Sequence, residues 1–337
     1  GILNIVFREG SAANPRVLVC GSIALDLLGR YDGSFGQYQS RYDIKSLNIS
    51  LQLATLRTAF GGCGMNITYG LRQFGVDAVP LTAAGRNFND QYRDYLRDLG
   101  VNIDYIAVDE TLSQCATAIV LSDDEGNQIT GFHAGGALSD LRVKPNAIEG
   151  IEHFQLAVLA PETASLMLSQ ARDLAELGIP IFFDPGQGLS EFTEVELREL
   201  IELSDYVICN HHEWDILQKN AGISAQEVVT QVRQAIVTRS ARGVDIFRDG
   251  MQTVHSPAVP PQLSGDATGC GDAFRAGYVS GLVAGQAPDA CARLGALTAT
   301  FNLEHEDPQG YRFDQVAFAR RYRESFGEDV PTAVWQV

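Results

Sequence analysis

The residues best suited to chemistry are gathered in Gly265-Asp266-Ala267-Thr268-Gly269-Cys270-Gly271-Asp272, directly ahead of a segment rich in small residues, Ala273, Ala276, Gly277, Gly281 and Ala284. Such a segment predicts a tightly packed, buried helix, with the loop as its N-terminus. Gly269 and Gly271 leave the backbone unobstructed, so successive N–H groups and the positive helix end can face an anion that gains charge during transfer. Phosphate is the natural guest. Asp272, at the mouth, can then take the proton of an attacking hydroxyl while a phosphoryl group approaches in line. The same residues also read as a helix cap and a glycine turn. None of Lys45, Lys144 and Lys219 follows a glycine, so there is no G-x-x-x-x-G-K loop and the anion must be held chiefly by backbone.

A second cluster is Phe60-Gly61-Gly62-Cys63-Gly64-Met65-Asn66. Its glycines let a substrate lie against the backbone, and Asn66 offers a donor and an acceptor to vicinal hydroxyls. An Asn capping a helix after a glycine turn reads equally well.

The loop ending in Asp272 resembles the second signature of the PfkB (ribokinase-like) carbohydrate and nucleoside kinases, D-T-x-G-A-G-D, with Ala267 and Cys270 as small departures. Phe60 to Asn66 is similar to the first signature, and the resemblance runs from about Val17 to about Gly310. It implies that Gly269, Cys270 and Gly271 form the anion hole, that Asp272 is the base, and that Asp26, Gly62 and Asn66 hold the acceptor. For Asp26 a surface turn residue is the other reading. Asn210-His211-His212-Glu213 resembles the N-x-x-E motif, which implies that Glu213 organises Mg2+ through water beside Asn210; a first-turn acidic residue is the alternative. Val237-Thr238-Arg239-Ser240-Ala241-Arg242-Gly243 is similar to V-T-x-G-x-x-G, placing Thr238 and Gly243 beside the nucleotide, with Ser240 where glycine is usual. Ala299 to His305 resembles the element bordering adenine, which would add Asn302; a buried helix is the other reading.

The implied cofactors are ATP and Mg2+, with a monovalent cation left open. Leu47 to Asn66 and Gly131 to Ala137 are similar to bacterial adenosine kinase-like members, in which Phe132 would stack on adenine; core packing of a hairpin is the other reading. The expected reaction is ATP-dependent phosphorylation of a nucleoside hydroxyl, adenosine to AMP in purine salvage. A ribokinase-like sugar kinase and a non-catalytic nucleoside-binding module are the alternatives. Few basic residues surround the acceptor motifs, which argues against a sugar-phosphate dianion.

The elements that must position these residues follow from periodicity. Val17–Cys20, Leu156–Ala160, Ile179–Phe183, Tyr206–Cys209 and Ala235–Thr238 read as buried strands, and Ser165–Leu177, Val195–Leu203 and Glu213–Gln218 as crossover helices. The expected fold is an α/β sandwich with a mostly parallel sheet, which the resemblance implies is the ribokinase-like three-layer α/β/α sandwich. Strict alternation over Leu47–Leu53, and a hairpin of Ala116–Leu121 with Gln128–Phe132, predict a small accessory β-sheet, which the resemblance implies is a lid. The expected division is 1–30, 60–105 and 138–337 for the large domain and 31–59 and 106–137 for the lid, with a monomer or a homodimer through the lid.

The 337 residues are 45% hydrophobic and 20% charged, enough for a large core. A formal net charge of -17 repels nucleic acid and anionic membrane surfaces, and no basic patch offsets it. No apolar run approaches a membrane span and the opening residues lack a signal pattern, so a cytoplasmic location is expected. Six cysteines without a C-x-x-C pair are expected to be reduced and mostly buried, and adjacent His211 and His212 diverge too much to chelate one metal.

Overall fold

A computed structural model describes residues 15–37, 48–263 and 267–335; Leu47, Gly265 and Asp266 lie outside them. In chain order the main elements are β1 (Arg16–Cys20), β2 (Ala24–Arg30), β3 (Thr55–Gly61), α1 (Cys63–Gln73), β4 (Asp77–Gly85), α2 (Tyr92–Asp98), β5 (Ile106–Asp109), β6 (Thr117–Ser122) and β7 (Gln128–His133). Then come β8 (Leu156–Leu159), α3 (Ala164–Glu176), β9 (Ile181–Phe183), α4 (Glu194–Leu203), β10 (Tyr206–Asn210), α5 (His211–Ala221), α6 (Ala225–Gln231), β11 (Gln234–Thr238), β12 (Val244–Arg248), β13 (Met251–Ser256), α7 (Cys270–Val283), α8 (Pro288–Leu303) and α9 (Gln315–Phe326).

The buried apolar runs assemble into one sheet in the order β13-β12-β11-β10-β9-β8-β1-β4-β5. Its pairs are parallel except where β12 and β13 turn back as an antiparallel extension. Alternate residues of β1 enter opposite cores. Val17 and Val19 pack with residues of α1, α7, α8 and α9, whereas Leu18 and Cys20 pack with residues of α3 to α6. Helices on both faces complete the three-layer sandwich and explain why its strands are continuous apolar runs. No helix of the described residues is long and apolar enough to cross a membrane.

A separate four-stranded sheet has the order β3-β2-β6-β7. The predicted hairpin is present as β6 and β7. The alternating segment before it behaves differently: residues 48–53 form no strand, and the β2–β3 ladder ends at the rung between Arg30 and Thr55. Leu53 instead lies over Gly29 beside Leu121. Asp26, for which a surface turn was the alternative reading, sits inside strand β2. Strand membership also departs from the expected division, since residues 24–30 belong to the small sheet and Ile106–Asp109 pairs with β4 in the large one.

The small residues of α7 serve close helix contact. A Cβ on Gly277 would come within 2.5 Å of the Leu294 carbonyl oxygen and 2.6 Å of Thr298 Oγ1, both on α8. Gly277→Ala is therefore expected to cost about 1–3 kcal/mol through overpacking. The check is chemical denaturation: the midpoint falls while the slope m stays constant.

Candidate active site

The head of α7 is built by a left-handed glycine. Gly269 is the N-cap at φ 86, and a Cβ there would lie 2.6 Å from the Pro308 ring. No side chain caps this helix, so Asp272 in its first turn is not a cap. The Cys270 N–H returns to the Ala267 carbonyl at 3.1 Å, and Gly271 and Asp272 carry the next N–H groups at the positive helix end. Asn302, at the end of α8, has no exposed surface and braces this loop from within. It donates through Nδ2 to the Thr268 carbonyl at 2.9 Å and to Cys270 Sγ at 3.3 Å.

Asp272 is half-buried and accepts a hydrogen bond at Oδ2 from Asn66 Nδ2 at 3.0 Å. Asn66 does not cap α1 either, because Gly62 is that helix's N-cap without a side-chain bond. Asn66 Oδ1 accepts from Gln309 Nε2 at 3.0 Å, and Gln309 Nε2 also donates to the Tyr92 hydroxyl at 3.1 Å. Tyr92 in turn donates to the Gly61 carbonyl at 2.9 Å. One turn beyond Asp272, Arg275 forms a two-pronged buried ion pair with Asp184 and donates to the Gly271 carbonyl at 2.8 Å. Its guanidinium faces the charges of Asp184, Asp272 and Glu213.

These neighbours set the acidity of Asp272. Desolvation pushes its carboxyl up to about 6, while Arg275, the Asn66 bond and a bond from the Cys63 thiol pull the other way and Asp184 adds to the rise. The Asp272 charge, together with burial, holds Cys63 well above the ordinary thiol range, so its proton stays available to donate.

Asp26 and Phe132 meet through the small sheet. Asp26 is paired with Ala59, Ala118 is paired with Phe132, and the Ala118 N–H donates to Asp26 Oδ1 at 2.9 Å. The Leu27–Ile119 pairing puts Ala59, Asp26, Ala118 and Phe132 on one rung, hence on one face. Phe132 is 85% exposed, which removes the core-packing reading. Asp26 packs close over Gly61, where a Cβ would stand 2.8 Å from Asp26 Oδ2 and displace that carboxylate. Burial raises the Asp26 carboxyl against the Ala118 bond. Arg57 of β3 forms ion pairs with Glu306 and Asp307 and so ties this sheet to the segment that carries Pro308 and Gln309.

At the end of β10, Asn210 and Glu213 form a reciprocal capping box: Asn210 Oδ1 accepts from the Glu213 N–H at 2.8 Å and Glu213 Oε1 from the Asn210 N–H at 2.9 Å. Glu213 is buried in the first turn of α5. Thr238 ends the neighbouring β11, with its hydroxyl 3.5 Å from the Cys209 carbonyl. Ser240 adopts φ 51, a left-handed conformation that accounts for the usual glycine there, and Gly243 closes the turn.

Sequence reasoning missed Arg275, Asp184, Cys63, Tyr92 and Gln309. Arg275 carried a signal, the single basic residue in a helix of mostly small and apolar residues. Gln309 carried none, since Asp307-Pro308-Gln309-Gly310 reads as an ordinary loop.

Residues 15–311 match the model of the pfkB family carbohydrate kinase. The nucleoside kinase of Methanocaldococcus jannaschii is 29% identical over 258 residues, 76% of this chain and 83% of that protein. The adenosine kinase of Schizosaccharomyces pombe is 29% identical over 217 residues, 56% of this chain and 62% of that protein. A structure of Burkholderia thailandensis nucleoside kinase in complex with inosine superposes with a TM-score of 0.81 at 32% identity, covering 93% of this chain and 99% of that one. The described fold is ribokinase-like, and the chain belongs to the pfkB family of carbohydrate kinases, phosphotransferases whose acceptor is a hydroxyl group.

Proposed function

We propose that this chain is a nucleoside kinase that transfers the terminal phosphoryl group of ATP to a hydroxyl of adenosine. The observation that carries this reading is the Asp272–Asn66 hydrogen bond at the head of α7, which joins a carboxylate, a hydroxyl-recognising amide and a positive helix end. Asp272 takes the acceptor hydroxyl proton, the new O–P bond forms as the bond to the bridging oxygen breaks, and ADP leaves. The backbone of Gly269, Cys270 and Gly271 at the positive end of α7 counters the charge that grows on the transferred oxygens.

Asp26 and Asn66 hold the acceptor hydroxyls beside Gly62, and Phe132 stacks on the base. The small sheet acts as a lid that excludes water. Thr238 and Gly243 line the nucleotide side. Among the described residues, no cluster of three His, Cys, Asp or Glu side chains stands ready to hold a metal. A single hard carboxylate, Glu213, beside Asn210 nevertheless suits Mg2+, which keeps much of its water and binds phosphate oxygens. Bound with ATP, that ion would neutralise phosphate charge. Relatives named nucleoside kinase and adenosine kinase support the acceptor class.

Purified protein with Mg-ATP is expected to release ADP with adenosine faster than with inosine, other nucleosides, ribose or fructose. If ribose or fructose led, the nucleoside reading would fall; if no acceptor stimulated ADP release while nucleosides still bound, the chain would be a binding module. Asp272→Asn is expected to lower kcat by about 10²–10⁴-fold while ATP binding persists; near-normal turnover would remove Asp272 as base.

The pH dependence has a fixed sign. The base must be ionised, so kcat/KM is full above about 6 and falls as pH drops through that value. Asp184→Asn removes a like charge and frees Arg275 to face Asp272, which moves this acid limb to lower pH. It also removes the two-pronged partner of a buried guanidinium, at a cost of about 3–5 kcal/mol in denaturant stability. An unmoved limb in a folded variant would separate Asp184 from the acidity of Asp272.

A further inference from the structure

We propose that Gln309 is a positioning residue that fixes the side-chain amide of Asn66 and, through it, the hydrogen bond that holds Asp272. The inference rests on the reading of Asp272 as base, but its geometry stands independently. An ionised carboxylate offers only acceptors, so Asn66 must turn Nδ2 toward Asp272. Its Oδ1 then faces the other way and requires a donor. Gln309 supplies one from Nε2 at 3.0 Å, and Nε2 also reaches the Tyr92 oxygen at 3.1 Å. The Tyr92 proton is committed to the Gly61 carbonyl.

Every donor in this chain therefore has a single direction. If the Asn66 amide turned end for end, Oδ1 would oppose the Asp272 carboxylate and Nδ2 would oppose Gln309 Nε2. If Gln309 turned instead, its Oε1 would meet Asn66 Oδ1. That Oε1 is buried without a protein partner, so it is the acceptor left over once both Nε2 hydrogens are used. Gln309 is 7% exposed, which keeps water from substituting freely as the donor.

Its place in the chain strengthens the argument. Asp307 pairs with Arg57 of the small sheet, Pro308 abuts Gly269 of the anion loop, and Gln309 holds Asn66. Three successive residues touch three parts of the site, so the segment sets their spacing together.

The test follows the Asp272 carboxyl carbon by 13C NMR titration of the protein without substrate, in wild type, Gln309→Met, Asn66→Ala and the double variant. The charged and titratable groups facing Asp272 are Arg275, Asp184, Cys63 and Tyr311, and all are retained. Loss of a donor to the charged form should raise the Asp272 midpoint by about half a unit or more in Gln309→Met, with no further rise when the change is made in Asn66→Ala. Acceptor kcat/KM should fall about tenfold or more while KM for ATP is unchanged. An unmoved midpoint, or an equal rise in both backgrounds, would overturn the proposal.

A reading on the wild-type protein keeps the question open to refutation even where a variant does not fold. The Gln309 side-chain amide protons should exchange slowly and shift with the Asp272 midpoint. Rapid exchange, or indifference to that titration, would overturn it. Were Asp272→Asn to keep its turnover, the base reading would fail while both NMR readings still decided the role of Gln309.

Discussion

Asp272 is subject to opposing pressures on which the rest of the site is arranged. Burial favours its neutral form, whereas Arg275, Asn66 and the Cys63 thiol favour the anion, and the balance lies near 6. Such a group is ionised at neutral pH yet basic enough to accept a proton. Asp184 is essential to this balance because it shares the guanidinium in a two-pronged pair. Were Arg275 to serve Asp272 alone, the carboxylate would be held lower and would be a poorer base. The second carboxylate thus moderates the first through an arginine placed between them.

This arrangement requires α1 and α7 to run close together, and small residues make that possible. A Cβ on Gly70 would come within 2.4 Å of Ala276 Cβ, and Gly277 stands equally close to α8. The same tight packing that carries the core also delivers Asn66 and Asp272 to one point. Buried amides then complete the placement, Asn302 behind the loop and Gln309 behind Asn66. A backbone anion site has no side chain of its own to steer it, so its shape depends on such braces.

The parallel sheet was legible because strands buried on both faces leave continuous apolar runs, as in Leu156–Leu159 and Tyr206–Asn210. The small sheet was harder to read. Leu47–Leu53 has the required alternation, yet pairing depends on a partner that begins only opposite Thr55, and periodicity carries no information about partners. Asp26 shows the same limit: its residues up to Arg30 are strand, but glycine and serine before them suggested a turn. In the site, glycine-rich loops announced Gly269 to Asp272 and Gly61 to Asn66 by composition. The Asp184–Arg275 pair spans 91 residues and the Asn66–Gln309 bond 243, separations at which no local pattern records a contact.

The rung Ala59, Asp26, Ala118, Phe132 bears on how large an acceptor the site is made for. Asp26 is pinned by the Ala118 N–H through one oxygen, while its other oxygen lies against Gly61, at the edge of the network that ends in Asp272. Two strands away stands an aromatic ring that is 85% exposed. A large apolar side chain on a strand ordinarily buries against something, and small Ala118 beside it leaves the face open for a partner. A bare pentose is small and polar and would leave that ring in water. A nucleoside offers hydroxyls for the carboxylate and a flat base for the ring, so the separation of Asp26 and Phe132 across one rung favours the larger acceptor in the proposed reaction.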